Sequence, residues 1–133
     1  MIEGECNCGA VRFEARTRPA GVYVCHCSIC RRYTGTNGNA VLVVANEEFR
    51  WIDGEENFST WRKPGHDWQA WFCRVCGSQL PGENDSATMF IPAGLLTAGG
   101  EDLEVIHHIW VDSKADWDEI GDSGRQHPEA FTA

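Results

Sequence analysis

The stretch Cys25-His26-Cys27-Ser28-Ile29-Cys30 brings three thiols within six residues, and the rest of the chain is organised around it. Side chains alternate along an extended chain, so Cys25 and Cys27 lie on one face while His26 turns outward. The following C-x2-C step brings Cys30 back toward them on a tight turn. The three sulfurs therefore converge on a point that a tetrahedral zinc ion would fill, with its fourth position unassigned.

The remaining four cysteines form two close pairs, Cys6-x-Cys8 and Cys73-x2-Cys76. Seven cysteines are an odd number, which disfavours a complete disulfide framework, and short spacings of this kind are typical of metal ligands. One zinc ion on these four thiols would close a structural site and join two pairs that are separated by 64 intervening residues. Two disulfides are the alternative, but such short loops would be strained. We call these residues the four-cysteine cluster, and Cys25, Cys27 and Cys30 the three-cysteine cluster.

The three-cysteine cluster has two interpretations. Catalytic zinc sites keep three protein ligands and an open position, which matches three thiols with no assigned partner. Alternatively, a second structural zinc would take its fourth ligand from His26, His66, His107 or His108. His107 and His108 adjoin in a predicted strand, so one faces inward, and an inward histidine is more often a hydrogen-bonded core residue than a ligand.

Composition predicts one domain over residues 1–133, because 42% of the residues are hydrophobic and this supports a single core. The net charge is −9, from 11 basic and 20 acidic residues, and no basic run is present. Nucleic acid and anionic membranes are therefore not expected as partners. No leader-like or membrane-spanning apolar run is present either, so a cytoplasmic protein is expected. The sequence does not specify an oligomeric state.

Apolar and polar residues alternate over short stretches, which predicts a mainly β fold with metal supplementing a modest core. The predicted strands cover residues 11–15, 22–24, 40–45, 49–52, 57–61, 69–72, 89–91 and 103–110. The run 40–45 is continuously apolar and is expected to be fully buried, whereas residues 81–86 are expected to form a polar loop. A short helical turn is predicted over 28–33, with Ser28 as its N-cap and Gly35 at its end.

Three motifs together resemble the glutathione-dependent formaldehyde-activating enzyme (Gfa) family, which includes centromere protein V-like proteins. They are Gly4-x-Cys6-x-Cys8-Gly9-Ala10-Val11-Arg12-Phe13, Cys25-His26-Cys27-x2-Cys30-Arg31-Arg32-x-Thr34-Gly35 and Phe72-Cys73-x2-Cys76-Gly77-Ser78-x-Leu80. The resemblance implies two zinc ions per chain: a structural ion on the four-cysteine cluster and a catalytic ion on the three-cysteine cluster. It also implies twisted antiparallel sheets stapled by zinc, similar to the methionine sulfoxide reductase B type of fold.

The activity that the resemblance implies is that of a carbon-sulfur lyase, the reversible addition of glutathione to formaldehyde. Arg31, Arg32, Thr34 and Gly35 follow the three-cysteine cluster and are candidate substrate contacts, the arginines for an anionic group. Residues 36–39 and 64–68 depart from the usual family pattern, so another small carbonyl compound is also considered as substrate. The alternatives are a non-catalytic zinc-binding module and a thiol redox protein, which would need a free nucleophilic cysteine.

Overall fold

A computed structural model describes all residues 1–133 as a mainly β protein with a single α-helix, as the sequence predicts. The chain forms two compact units, one from Met1–Pro19 and Val43–Glu101 and the other from Ala20–Leu42 and Asp102–Ala133. The helix, α1 (Ser28–Thr34), has seven residues. None of the helices has the length and apolar character needed to cross a membrane.

Twelve strands make up the sheets, and most are two to five residues long. They are β1 (Ile2–Glu5), β2 (Arg12–Ala15), β3 (Val22–Cys25), β4 (Asn39–Ala45), β5 (Phe49–Asp53), β6 (Phe58–Arg62), β7 (Gln69–Cys73), β8 (Gly82–Glu83), β9 (Thr88–Pro92), β10 (Leu96–Ala98), β11 (Val105–Ile109) and β12 (Arg125–Gln126). Strands this short carry little pairing information of their own.

The first unit contains an antiparallel sheet in the order β10-β1-β2-β5 and the hairpin β6-β7. Strand β2 alternates as predicted, with Phe13 and Ala15 buried while Arg12 faces solvent. The four-cysteine cluster contributes to the core here, because Cys6 and Cys73 pack with Val11 and Leu80. Trp51, Phe58 and Trp71 surround this group. The candidate metal ligands and the apolar core are thus parts of one packed region.

The second unit orders its strands β12-β11-β3-β4, and β11 runs parallel to both of its neighbours. The register places Ile109 opposite Cys25 and His108 opposite Val24. On the other side, Cys25 pairs with Asn39 of β4. The first cysteine of the three-cysteine cluster is therefore held between two neighbouring strands.

Several local expectations need correction. The N-cap of α1 is Cys27 rather than Ser28, whereas Gly35 ends the helix in the left-handed conformation as predicted. The run 40–45 is buried only at alternate residues, at Leu42 and Val44, because β4 has one face more accessible than the other. The expected loop 81–86 contains β8, and the short strands β1, β10 and β12 were not predicted.

Candidate functional site

The four-cysteine cluster brings together the four thiols that the sequence groups, although they come from two segments of the first unit that are distant in sequence. The Sγ atoms of Cys6 and Cys8 are 3.6 Å apart, and those of Cys8 and Cys73 are 3.9 Å apart. Four sulfurs arranged tetrahedrally at about 2.3 Å from zinc would be separated by about 3.8 Å. These two separations are close to that value, and all four sulfurs lie within 4.8 Å of one another, so the cluster could hold a metal ion.

Tight turns aim these sulfurs at one another. Gly9 and Gly77, which follow the second cysteine of each pair, both have positive φ angles, at 74° and 78°. Such angles are accessible to glycine at little cost. The backbone N–H of Val11 donates to the Sγ of Cys6 at 3.4 Å, and the hydroxyl of Ser78 lies 3.2 Å from the Sγ of Cys76. The Ser78 hydroxyl lowers the pKa of Cys76 to about 6, which favours the thiolate that binds metal.

The three-cysteine cluster lies where β3 passes into α1, in the second unit. Its three Sγ atoms all lie within 4.8 Å of one another. The backbone N–H of Cys30 donates to the Sγ of Cys27 at 3.3 Å, so the thiol itself caps the helix. Gly38 approaches this segment closely, since a Cβ atom there would lie 2.8 Å from the carbonyl oxygen of Cys25. The loop carrying the thiols is thus built with little room for a larger residue at 38.

Proton sharing among the three thiols shows why a cation would suit this cluster. Hydrogen bonds from Cys25 and Cys30 hold the pKa of Cys27 far below its usual range. The interaction with Cys27 raises the pKa of Cys25 to about 11, and the pKa of Cys30 is also raised by its two thiol neighbours. The protonation states of the three thiols therefore depend on one another. A metal ion would replace the protons on Cys25 and Cys30, so binding should release protons.

None of the histidines considered as a fourth ligand belongs to the cluster of three thiols. His26 and His108 bond to each other, with 2.8 Å between Nε2 and Nδ1, and His107 pairs with His127 at 2.9 Å. The ring of His26 is also 1% exposed, so the expectation that it turns outward is wrong. It points into the protein interior instead. As expected for adjoining strand residues, His108 faces inward and is hydrogen-bonded.

The four candidate substrate contacts occupy different environments. Arg31 is partly buried, and its Nε atom is buried without a hydrogen-bond partner, whereas Arg32 is exposed. The hydroxyl of Thr34 donates to the carbonyl oxygens of Cys30 and Gly38, at 3.1 and 3.0 Å. Gly35 caps α1 through its N–H. Thr34 and Gly35 therefore have structural partners, and their contact with a substrate stays a prediction.

The fold and site define a mainly β protein with two cysteine clusters that could each hold a metal ion. A sequence model of the glutathione-dependent formaldehyde-activating enzyme family matches residues 1–113, which include both clusters. The chain belongs to this family, as the three cysteine motifs predict.

Two known proteins illustrate the similarity. A Halomonas elongata protein that bears the same family name is 33% identical over 88 residues, which cover 60% of this chain and 54% of the relative. The match thus spans about half the length of that relative. A crystal structure of a Rhodobacter sphaeroides protein from structural genomics has a TM-score of 0.60 at 25% identity, covering 75% of this chain and 93% of that chain.

Proposed function

We propose that this chain is a zinc-dependent carbon-sulfur lyase that reversibly adds a thiol, glutathione in the family, to formaldehyde or another small carbonyl compound. The observation that carries the proposal is the three-cysteine cluster, which gathers three thiols and no fourth protein ligand. The same proposal assigns a structural zinc ion to the four-cysteine cluster. It also includes a single domain over residues 1–133 with the methionine sulfoxide reductase B type of fold, in a cytoplasmic protein.

The donor set decides what chemistry suits the site. When held by three thiolates, zinc supplies an electron-rich position that exchanges soft ligands and favours a bound thiol as its thiolate. In the reaction, a bond forms between the thiol sulfur and the carbonyl carbon while the C=O double bond becomes a single bond. The thiol proton ends on that oxygen. The reverse reaction breaks the C–S bond and returns the proton, with no net oxidation or reduction.

Arg31 is the residue we assign to the anionic end of the thiol substrate. A buried guanidinium N–H without a partner is costly, and a substrate carboxylate would supply the missing acceptor. Arg31 directly follows Cys30 in α1, so it lies next to the thiols in sequence and in the helix. Arg32 is exposed and lacks such a buried unpaired atom.

A matched pair of variants tests this assignment. A charge-assisted hydrogen bond contributes about 1.5–3 kcal/mol, so Arg31→Gln should raise the KM for glutathione roughly 10-fold or more. Arg32→Gln should leave KM within about twofold, since an exposed charge contributes little. Turnover is measured by NMR as the rate of glutathione-dependent formaldehyde exchange above the uncatalysed rate. Equal KM values for the two variants would remove Arg31 from the substrate site.

The reaction itself is tested with Cys27→Ser, by measuring zinc per chain and turnover on the same sample. Loss of one of two zinc ions together with loss of turnover supports the proposal. Loss of one zinc ion with unchanged turnover would refute it. If the wild type holds two zinc ions but has no turnover with any small aldehyde, the non-catalytic zinc-binding module becomes the better interpretation. One zinc ion and three titratable thiols would favour the redox protein.

A further inference from the structure

Within the second unit, a series of hydrogen bonds connects Asp122 through His108 to His26, the residue between Cys25 and Cys27. The Nε2 atom of His26 is 2.8 Å from Nδ1 of His108, and the Nε2 atom of His108 is 2.8 Å from Oδ1 of Asp122. His26 and His108 are only 1% and 4% exposed, whereas the side chain of Asp122 is 43% exposed. These contacts thus extend from the protein surface at Asp122 to His26, which stands between Cys25 and Cys27.

Further contacts hold Asp122 and His26, the two ends of this hydrogen-bond series. At the surface end, Oδ1 of Asp122 also accepts from the N–H of Gly124 at 2.8 Å. At the inner end, Nδ1 of His26 lies 3.2 Å from the carbonyl oxygen of Asn37 and 3.5 Å from Oδ2 of Asp118. That carboxylate oxygen is buried and has no hydrogen-bond partner, so its interaction with His26 is electrostatic. The ring of His26 is therefore held on both sides by groups that come from three separate segments.

His26 stands between Cys25 and Cys27 in the sequence, so contacts that hold His26 in place also restrict the positions of these two thiols. Its backbone N–H donates to the carbonyl oxygen of Ile109 at 2.9 Å, and Ile109 neighbours His108 on β11. Ring and backbone of His26 are thus both attached to the same strand. Rotation of the 25–27 segment, which would separate the sulfurs, would break both contacts.

We propose that His108 and Asp122 are positioning residues that hold His26 and thereby raise the affinity of the three-cysteine cluster for its zinc ion. Asp122 lies beyond residues 1–113, the part of the chain that matches the family. Groups that orient a metal-binding segment typically contribute about 10- to 100-fold to metal affinity. The inference rests on the metal site of the proposed function and does not depend on the aldehyde reaction.

Strand β11 supplies a matched control. His107 and His108 are adjacent, and each bonds to another histidine, but His107 pairs with His127 and does not contact His26. In the experiment, zinc per chain is followed while a chelator of known affinity is added to the zinc-loaded full chain. Cys27→Ser identifies the step that belongs to the four-cysteine cluster.

We expect His108→Leu to weaken zinc binding at the three-cysteine cluster by about 10-fold or more while the four-cysteine step stays in place. His107→Leu should move neither step. The imidazole 15N signals of His26 should shift in His108→Leu and not in His107→Leu. Equal behaviour of the two variants, or a parallel shift of both zinc steps, would overturn the inference.

Asp122 provides a second test at a more accessible position. Asp122→Ala removes the acceptor for His108, and we expect a loss of zinc affinity in the same direction as for His108→Leu. Asp122→Asn keeps an acceptor oxygen and should restore most of the affinity. A wild-type chain that binds zinc only at the four-cysteine cluster would also overturn the inference. Two tightly bound zinc ions without turnover would instead refute the proposed reaction and leave the positioning role intact.

Discussion

Replacing Cys8 and Cys76 together with serine should destabilise the first unit by removing the metal cross-link that we propose for the four-cysteine cluster. Cys8 is exposed and Cys76 is half-buried, whereas the other two cysteines of the cluster, Cys6 and Cys73, are part of the packed core. The double variant therefore loses two metal ligands and leaves the buried residues in place. Any large loss of stability must then come mainly from the missing cross-link.

The size of the effect follows from the loop that the proposed metal ion would close. Cys8 and Cys73 are 65 residues apart, and the chain-entropy expression for a cross-link gives about 4 kcal/mol for a loop of that length. A loss of that size lowers Tm by on the order of 15 °C in a chain of this length. The three-cysteine cluster spans residues 25–30, for which the same expression gives about 2 kcal/mol. Cys27→Ser should therefore cost about half as much.

The assay is urea unfolding followed by tryptophan fluorescence, with zinc per chain measured on each sample. The free energy of unfolding should fall in the order wild type, Cys27→Ser, then Cys8→Ser/Cys76→Ser, with the double variant holding one zinc ion fewer than wild type. Equal stability of the two variants would contradict the loop-length argument. A double variant as stable as wild type, with one zinc ion lost, would show that the four-cysteine cluster does not act as a staple.

Two further predictions concern the backbone and pH. Gly54 and Gly35 both have positive φ, but a Cβ at Gly54 would collide with the carbonyl of Ala10, whereas nothing lies near Gly35. Gly35→Ala should cost about 1–2 kcal/mol by urea unfolding and Gly54→Ala clearly more; equal costs would contradict the steric argument. Burial lowers the pKa of His127 from 6.5. The unfolded chain then takes up a proton first, so stability should fall as pH drops below about 6.5, and His127→Gln should show a flatter pH profile. A profile unchanged in the variant would exclude His127 as its source.

The sequence was sufficient where a signal is local. The spacing of Cys25, Cys27 and Cys30 fixes their convergence because all three lie on one strand end and one helical turn. Gly35 was predictable as the helix end because a left-handed residue there favours glycine. The N-cap was displaced by one residue, from Ser28 to Cys27, because a thiol can accept the same backbone hydrogen bond as a hydroxyl.

The sequence alone did not predict which distant strands pair with each other. His26 and His108 are 82 residues apart, and their contact depends on the parallel pairing of β3 with β11. Strands of four and five residues do not specify a partner by their pattern alone. The buried position of His26 therefore could not be derived from the alternation of Cys25 and Cys27, which says only that its side chain leaves the sulfur face. Only the pairing of β3 with β11 shows that the His26 side chain is buried against His108.

The parallel pairing of β3 with β11 also determines when the three-cysteine cluster can take its final arrangement on a growing chain. All ligands of the three-cysteine cluster have been synthesised by Cys30, but the strand that holds His26 ends only at Ile109. At about 5–20 residues per second, the ribosome needs roughly 4–16 s to make the intervening segment. During that interval the three thiols lack the contacts that β11 makes with His26. The four-cysteine cluster, in contrast, is complete once Cys76 has been synthesised. The ligands of the three-cysteine cluster are thus synthesised first, but the contact of His26 with His108 can form only after the four-cysteine cluster is complete.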